Sequence, residues 1–294
     1  MAVIDPHHHL WDLTEIHYPW LEDRNKTAFF GSYAPLAENY TVEDYLADSC
    51  HQELTHSVHI QAECDPADPL AETRWLDRLA DRHGLPTAIV AYADFVRDDI
   101  REVLERHCAF ARVRGIRQIL NYHRDPCLTY TAHNLLEDDT WRKNFSALAG
   151  LDLSFDLQLY PRQMQQAAKL ATQHDDILFI LNHTGMPVER DDAGIVDWRT
   201  GMTKLATCDN VVVKISGLGM TDPEWTTDSI RPFVLETIDL FGVERCMFAS
   251  NFPVDGLFSN FDILYAAYRA ITADFSFSEQ AMLFHDNAAR YYRL

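Results

Sequence analysis

Cysteine is scarce and scattered. The six thiols, Cys50, Cys64, Cys108, Cys127, Cys208 and Cys246, form no CxxC pair. That spacing excludes a zinc ribbon and argues against a disulfide framework in a chain of 294 residues. A reducing, cytoplasmic setting is expected. No apolar run approaches the roughly 18 residues that would span a bilayer. The N-terminus lacks a basic segment followed by an apolar one, so neither an export signal nor a membrane association is expected. Basic residues are the minority, 25 against 45 acidic, for a net charge of −20. Such a field repels phosphate backbones and rules against nucleic acid as a partner. It leaves open a small molecule held in a locally basic pocket. No Gly-rich phosphate loop follows the first strand, which counts against a dinucleotide fold. No linker divides the chain, and a single domain over residues 1–294 is expected.

Against these absences stands a recurring pattern. Short β-branched runs appear at 2–5, 56–62, 87–94, 115–121, 151–159, 177–183, 210–216 and 245–250. Several are apolar on both sides, as strands buried between a barrel interior and a helical layer must be. Amphipathic stretches of helical length separate them. TVEDYLADSCHQ (41–52) starts with Thr41 as N-cap and Asp44 three residues on, a carboxylate variant of the capping box. ADPLAETRWLDRLADRHG (67–84) stops at a glycine. Eight strand-then-helix units predict an α/β fold, a distorted (β/α)8 TIM barrel, rather than a doubly wound sheet. The segment 278–294 reads as an extra C-terminal packing helix. Two loops are long: an aromatic excursion over 11–40 after the first strand, and 184–197 after the sixth. Long loops after strands lie at the catalytic face of a barrel.

The stretch VIDPHHHLWD (3–12) puts three histidines between folding residues, which is not how a purification tag is placed. On a strand His7 and His9 share one face and His8 takes the other. Asp5 would share the face of His7 and support it from below. Reading the other strand ends in order adds Gln61 and Glu63, Asp94, Asn121 and His123, Gln158, His183, Ser216, and then Ser250, Asn251 and Asp255. Two imidazoles on one face with His183 on a distant strand would make a facial metal site. Each residue also has an ordinary structural reading. A lone strand-end histidine is more often a hydrogen-bonding core residue, and Gln61 and Asn121 would serve equally to close barrel-end hydrogen bonds. Lys214, a charge inside VVVKIS, must either reach the rim or find a buried partner.

Taken together the motifs resemble the lactonase group of the amidohydrolase superfamily. They are His7-x-His9 with Leu10-Trp11-Asp12, YPWL (18–21), VHIQAECDPADPLAETRWL (58–76), GIRQILNYH (115–123), FDLQLYPRQ (155–163), LNHTG (181–185), VKISGL (213–218) and SNFPVD (250–255). The resemblance covers nearly the whole chain, and the order of the motifs is its specific part. It implies hydrolysis of a small-molecule lactone, of a sugar acid or of an aromatic-degradation intermediate, by an activated water. It also implies that His7, His9 and His183 are metal ligands or substrate contacts, with one divalent ion, zinc or manganese. The family pattern has an aspartate at the end of strand eight, where this chain has Asn251. An amide neither takes a proton from water nor ligates a metal well. The catalytic base then falls to Asp255 or to His183.

The oxyanion would be met by Arg117, Lys214, His7 and His9, or by a metal. Arg117 has the planar fork to hold a substrate carboxylate, with Arg124 and Arg162 as weaker choices. Gln61, Asn121 and His123 complete the expected substrate contacts. Trp11, with Tyr18 and Trp20, would stack on a ring or else form the loop's own core. Two rival readings are a metal-dependent decarboxylase of an aromatic acid and a binder that lost its base with Asn251. A homo-oligomer is compatible with the sequence.

Overall fold

A computed structural model describes residues 1–22 and 27–294; the part of the aromatic excursion at 23–26 lies outside the described residues. Eight parallel strands form one sheet in chain order: β1 (Val3–His8), β2 (Leu54–Ile60), β3 (Ala88–Tyr92), β4 (Val113–Ile119), β5 (Ser154–Gln158), β6 (Phe179–Leu181), β7 (Val211–Ile215) and β8 (Cys246–Phe248). Each expected run overlaps one of them. Helices follow in turn: α1 (Val42–Asp48), α2 (Ala71–His83), α3 (Ile100–Cys108), α4 (Asp139–Phe145), α5 (Met164–Gln173), α6 (Asp192–Ala206), α7 (Thr227–Phe241) and α8 (Phe261–Ile271). The capping box of α1 forms as the sequence indicates, the Thr41 N–H donating to Asp44 at 2.8 Å. Gly84 ends α2 in the left-handed region at φ 77°, where glycine meets no Cβ clash.

Five strands are shorter than their runs, and for two of them the backbone shows why. Gly150 and Asp152 have φ of 75° and 53°, so the 151–159 run becomes extended only at Ser154. His183, with φ 56°, leaves the ladder of β6 just as its side chain is needed elsewhere. The C-terminal segment is helical as expected, without a break over residues 277–292. It runs as Phe277–Ala281, a π-helical turn Met282–Asp286, and Asn287–Tyr292. Among the described residues no helix is long and apolar enough to cross a membrane, and all six cysteines are free.

Alternation along the strands sorts the interior into layers. Ile4, Val58, Val90, Ile180, Val212 and Met247 make an apolar cluster with Ala288 and Tyr292 of the C-terminal segment, which closes the lower end of the barrel. The much larger cluster lies between strands and helices and includes Val3, Ile116, Phe155, Leu157, Val213, Ile215 and Phe248. Above the apolar inner layer, the same inward-facing positions become polar: Asp156, Lys214 and Arg117 are all buried.

Closure between β1 and β8 is not a ladder. It rests on one isolated bridge, His8 with Phe252, and on the Asn251 N–H donating to the His7 carbonyl at 2.7 Å. Asp5 supplements it. Its carboxyl accepts from the Ser250 N–H at 2.9 Å, the Ser250 hydroxyl at 2.6 Å and the Tyr45 hydroxyl at 2.8 Å. Burial pushes its pKa up, against these donors. Asp5 therefore faces outward toward α1 and the seam, not below the His7 ring as strand parity suggests. The register shows why: Asp5 and His8 of β1 pair with Ser57 and His59 of β2, so β1 carries one extra residue. That bulge reverses the facing of everything after it. Ser250→Ala is expected to destabilise the protein by about 1–3 kcal/mol, because a buried acceptor loses its donor. Urea unfolding reads this as a lower midpoint at unchanged slope; an unchanged midpoint would show that the seam is held by other contacts.

Candidate active site

The upper end of the barrel opens into a cleft of about 410 Å³, a size typical of small-molecule sites. Its floor is polar, with His9, Glu63, Arg117, Gln158, His183 and Asn251, and its walls are aromatic, with Trp11, Trp20, Phe29, Phe30, Tyr33 and Tyr130 among them. Three floor residues occupy the left-handed backbone region at a strand end: Glu63 after β2, His183 after β6 and Asn251 after β8, with φ of 58°, 56° and 58°. Non-glycine residues are held there at some energetic expense, characteristically at functional sites. Gly217 after β7 joins them at φ 64°. A Cβ there would lie 2.5 Å from His183 Nδ1, so only glycine lets this backbone pass the ring.

The three imidazoles named from the sequence do meet. Ring centroids are 5.1 Å apart for His7 and His9, and 4.5 Å for His7 and His183. Their second-layer contacts set the protons. His9 Nδ1 lies 2.7 Å from the Ile60 carbonyl, which only accepts, so Nδ1 carries the proton and Nε2 presents a lone pair. His7 Nδ1 lies 3.4 Å from Lys214 Nζ, and that ammonium lies 2.5 Å from Asp156 Oδ1. The ammonium can only donate, which puts the proton of His7 on Nε2, a buried atom with no partner. His183 Nδ1 meets the Ser216 hydroxyl at 3.1 Å. Burial, with the charges of Lys214 and Arg117, pushes the pKa of His7 and His183 well down; burial and Arg117 do so for His9. All three rings are neutral. His8 faces outward, meeting Ser57 Oγ at 3.0 Å and stacking on Tyr45.

This cluster does not have the make-up of an ion site. Among the described residues no group of three or more His, Cys, Asp or Glu side chains is placed to hold a metal. The Lys214 contact turns His7 Nε2 into a donor, and no carboxylate joins the rings. The rings expected to hold the ion do converge, without a carboxylate beside them.

Lys214 itself does not touch the cleft. It is buried, paired with Asp156, and held at about 8 mainly by burial. Tyr292 completes the pair by donating to Asp156 at 3.0 Å. Asp255 is also withdrawn. It accepts from the Gly219 N–H at 3.1 Å and from Asn251 Nδ2 at 2.7 Å, and Asn251, not Asp255, lines the floor. Its carboxyl, raised to about 7 by burial, thus fixes the Asn251 amide. With Nδ2 committed, Asn251 turns its oxygen elsewhere.

Arg117 lines the floor with both terminal nitrogens engaged, one on Gln158 Oε1 at 2.7 Å and one on the Gln61 carbonyl at 2.5 Å. Gln61 does not line the cleft; its side chain grips Glu63. Asn121 is buried outside it, donating to Met186 Sδ at 3.2 Å. His123 and Arg124 point to Glu189, at 3.6 and 3.5 Å, and Arg162 to Glu189 and Asp197, so none of the three meets the floor. Of the aromatic trio, Trp11 and Trp20 line the wall, whereas Tyr18 is core and donates to Glu72 at 3.0 Å. Glu63, the acidic side chain among the cleft-lining residues, was read as a strand-end residue but not as part of the site. A charge two residues past Gln61, at the end of an apolar strand, was its available signal.

The sequence pattern of the family described as Amidohydrolase matches residues 4–294. An uncharacterized Sinorhizobium fredii protein, y4mH, is 48% identical over 100% of this chain and 99% of its own. An L-fucono-1,5-lactonase of Burkholderia multivorans is 27% identical, over 99% of this chain and 96% of its own. The crystal structure of a Burkholderia multivorans amidohydrolase with bound zinc, 24% identical, covers 100% of both chains at a TM-score of 0.83, which shows the shared fold.

The raised carboxyl of Asp255 has a stability signature. Its folded pKa of about 7 lies above the ordinary 3.8. Its contribution is therefore complete below 3.8 and is lost as pH rises toward 7. Asp255→Asn removes that loss, so the stability of the variant relative to wild type should climb across this window in urea titrations. A flat difference would mean that Asp255 ionises normally in the folded protein.

Proposed function

As the chain belongs to the amidohydrolase family, we propose that it is a hydrolase that opens a lactone by adding water at the floor of its cleft. The observation that carries this reading is the convergence of His9, His183, Asn251 and Arg117 from four strand ends in one cleft. The lactonase relative from Burkholderia multivorans supports it. The substrate lies with its ring against Trp11, Trp20 and Phe30, and its carbonyl faces the floor.

The floor supplies complementary halves. Arg117, fixed by Gln158 and by the Gln61 carbonyl, holds positive charge where the carbonyl oxygen becomes negative. Preorganised charge of this kind, away from water, is often the largest contribution to acyl-transfer catalysis. His7 lies behind His9 and His183, wholly buried and outside the cleft lining, and its Nε2 has no protein partner. On the other side, the lone pair of His9 Nε2 and the Asn251 oxygen face the attacking water, and one of them accepts one of its hydrogens. The neutral rings act as fixed hydrogen-bonding groups, because burial and the neighbouring cations resist their protonation. The reading uses the chain's own groups.

Purified protein is expected to open at least one ring in a panel of aldonolactones, muconolactone-type lactones and simple alkyl lactones. His183→Ala should lower kcat by about 10²-fold or more, and exhaustive chelation should leave wild-type turnover unchanged. Turnover that vanishes on chelation and returns with zinc would reverse the account of the imidazoles while keeping the reaction. Absence of turnover on the whole panel would remove the reaction.

A further inference from the structure

Asn251, an amide at the end of strand eight, leaves the attacking water without a proton acceptor at that position. Asp255 does not restore one. Both of its oxygens are committed to Gly219 and Asn251, and the Asn251 amide stands between it and the cleft. His9 and His183 are accessible, but they are neutral rings in a buried, cationic setting that opposes protonation. The proton must go to another group.

Glu63 is built for this. It is the acidic side chain among the cleft-lining residues. Its backbone is held at φ 58°, in the left-handed region, one of the three such residues on the floor. Gln61, wholly buried, grips it twice: the Glu63 N–H donates to Gln61 Oε1 at 2.7 Å, and Gln61 Nε2 donates to Glu63 Oε1 at 2.5 Å. Among the described residues nothing donates to Oε2. Gln61 also fixes Arg117, since its carbonyl accepts from the guanidinium. A carboxylate with one oxygen clamped, one oxygen free, a strained backbone and a fixed cation nearby is a preorganised proton acceptor, not a solvated surface acid.

We infer that Glu63 is the general base of this site, occupying from strand two the role that Asn251 cannot fill from strand eight. The inference rests on the hydrolase reading above. The water gives one proton to Glu63 Oε2 while its oxygen bonds to the lactone carbonyl carbon. The carbon–oxygen bond of the ring then breaks, and the departing ring oxygen takes the proton back from Glu63. One water is added across one ester bond, and Glu63 returns to its starting state.

The test compares wild type, Glu63→Gln and Glu63→Ala on the lactone that wild type turns over best. E63Q keeps the shape and the Gln61 clamp but cannot accept the proton. The expected result is a fall in kcat of at least about 100-fold with KM within about threefold, and loss of the acid limb of the pH profile. E63A should regain turnover on addition of formate, which a purely structural role would not produce. An E63Q protein keeping more than about a tenth of wild-type kcat, or keeping the acid limb, overturns the assignment. So does a change confined to KM, which would make Glu63 a substrate contact. Variants that fail to melt cooperatively would make Glu63 structural and overturn it as well. A wild type inactive on every lactone removes the hydrolase reading and this inference together; an active wild type with an active E63Q removes this inference alone.

Discussion

One extra residue in the first strand governs both the closure of the barrel and the aim of its chemistry. Before the bulge, Asp5 looks outward and accepts from Ser250 and Tyr45 across a seam that has a bridge but no ladder. After it, His7 and His9 look inward and His8 outward. Without the bulge, Asp5 and His7 would share a face, and a residue that closes the seam would compete with one that serves the site. The seam is also where Asn251 is fixed, because its N–H donates to the His7 carbonyl. Closure and site geometry are therefore one problem with one solution.

Beneath the floor lies an ion pair that does not meet substrate but decides what the substrate meets. Lys214 and Asp156 are wholly buried, with Tyr292 of the C-terminal segment donating to the carboxylate. A buried pair of this kind is weak evidence for stability, since desolvation offsets the attraction. Its effect here is directional. The ammonium selects the tautomer of His7, and its charge adds to burial and Arg117 in keeping His7 and His183 neutral, as burial and Arg117 do for His9. The Burkholderia multivorans amidohydrolase with bound zinc shares the fold, while the groups around the rings in this chain favour hydrogen bonding.

Above the floor, the walls are apolar and the polar groups are mostly engaged with one another. Gln158 holds Arg117, Gln61 holds Glu63, and Asp255 holds Asn251. Each cleft-facing group thus has a partner behind it that removes its freedom, which is how a site keeps a productive geometry before substrate arrives. The left-handed backbones at Glu63, His183 and Asn251 have the same effect on the main chain. Such conformations persist only where the surroundings over-determine them.

The barrel was legible in the chain because buried strands must be apolar on both faces and helices must be amphipathic; both patterns are local. The same holds for the capping box at Thr41, the stop at Gly84, and the convergence of strand-end residues such as His9 and His183. Tertiary structure alone decided the rest. The facing of Asp5 depends on a register shift that strand parity cannot reveal, since one inserted residue leaves composition and alternation unchanged. Whether Asp255 or Asn251 meets the cleft depends on a single φ angle. Lys214 could have reached the rim, and only the position of Asp156 two strands away kept it inside. Glu63 looked like an ordinary strand-end charge until the folded chain brought it into one cleft with the Asn251 amide.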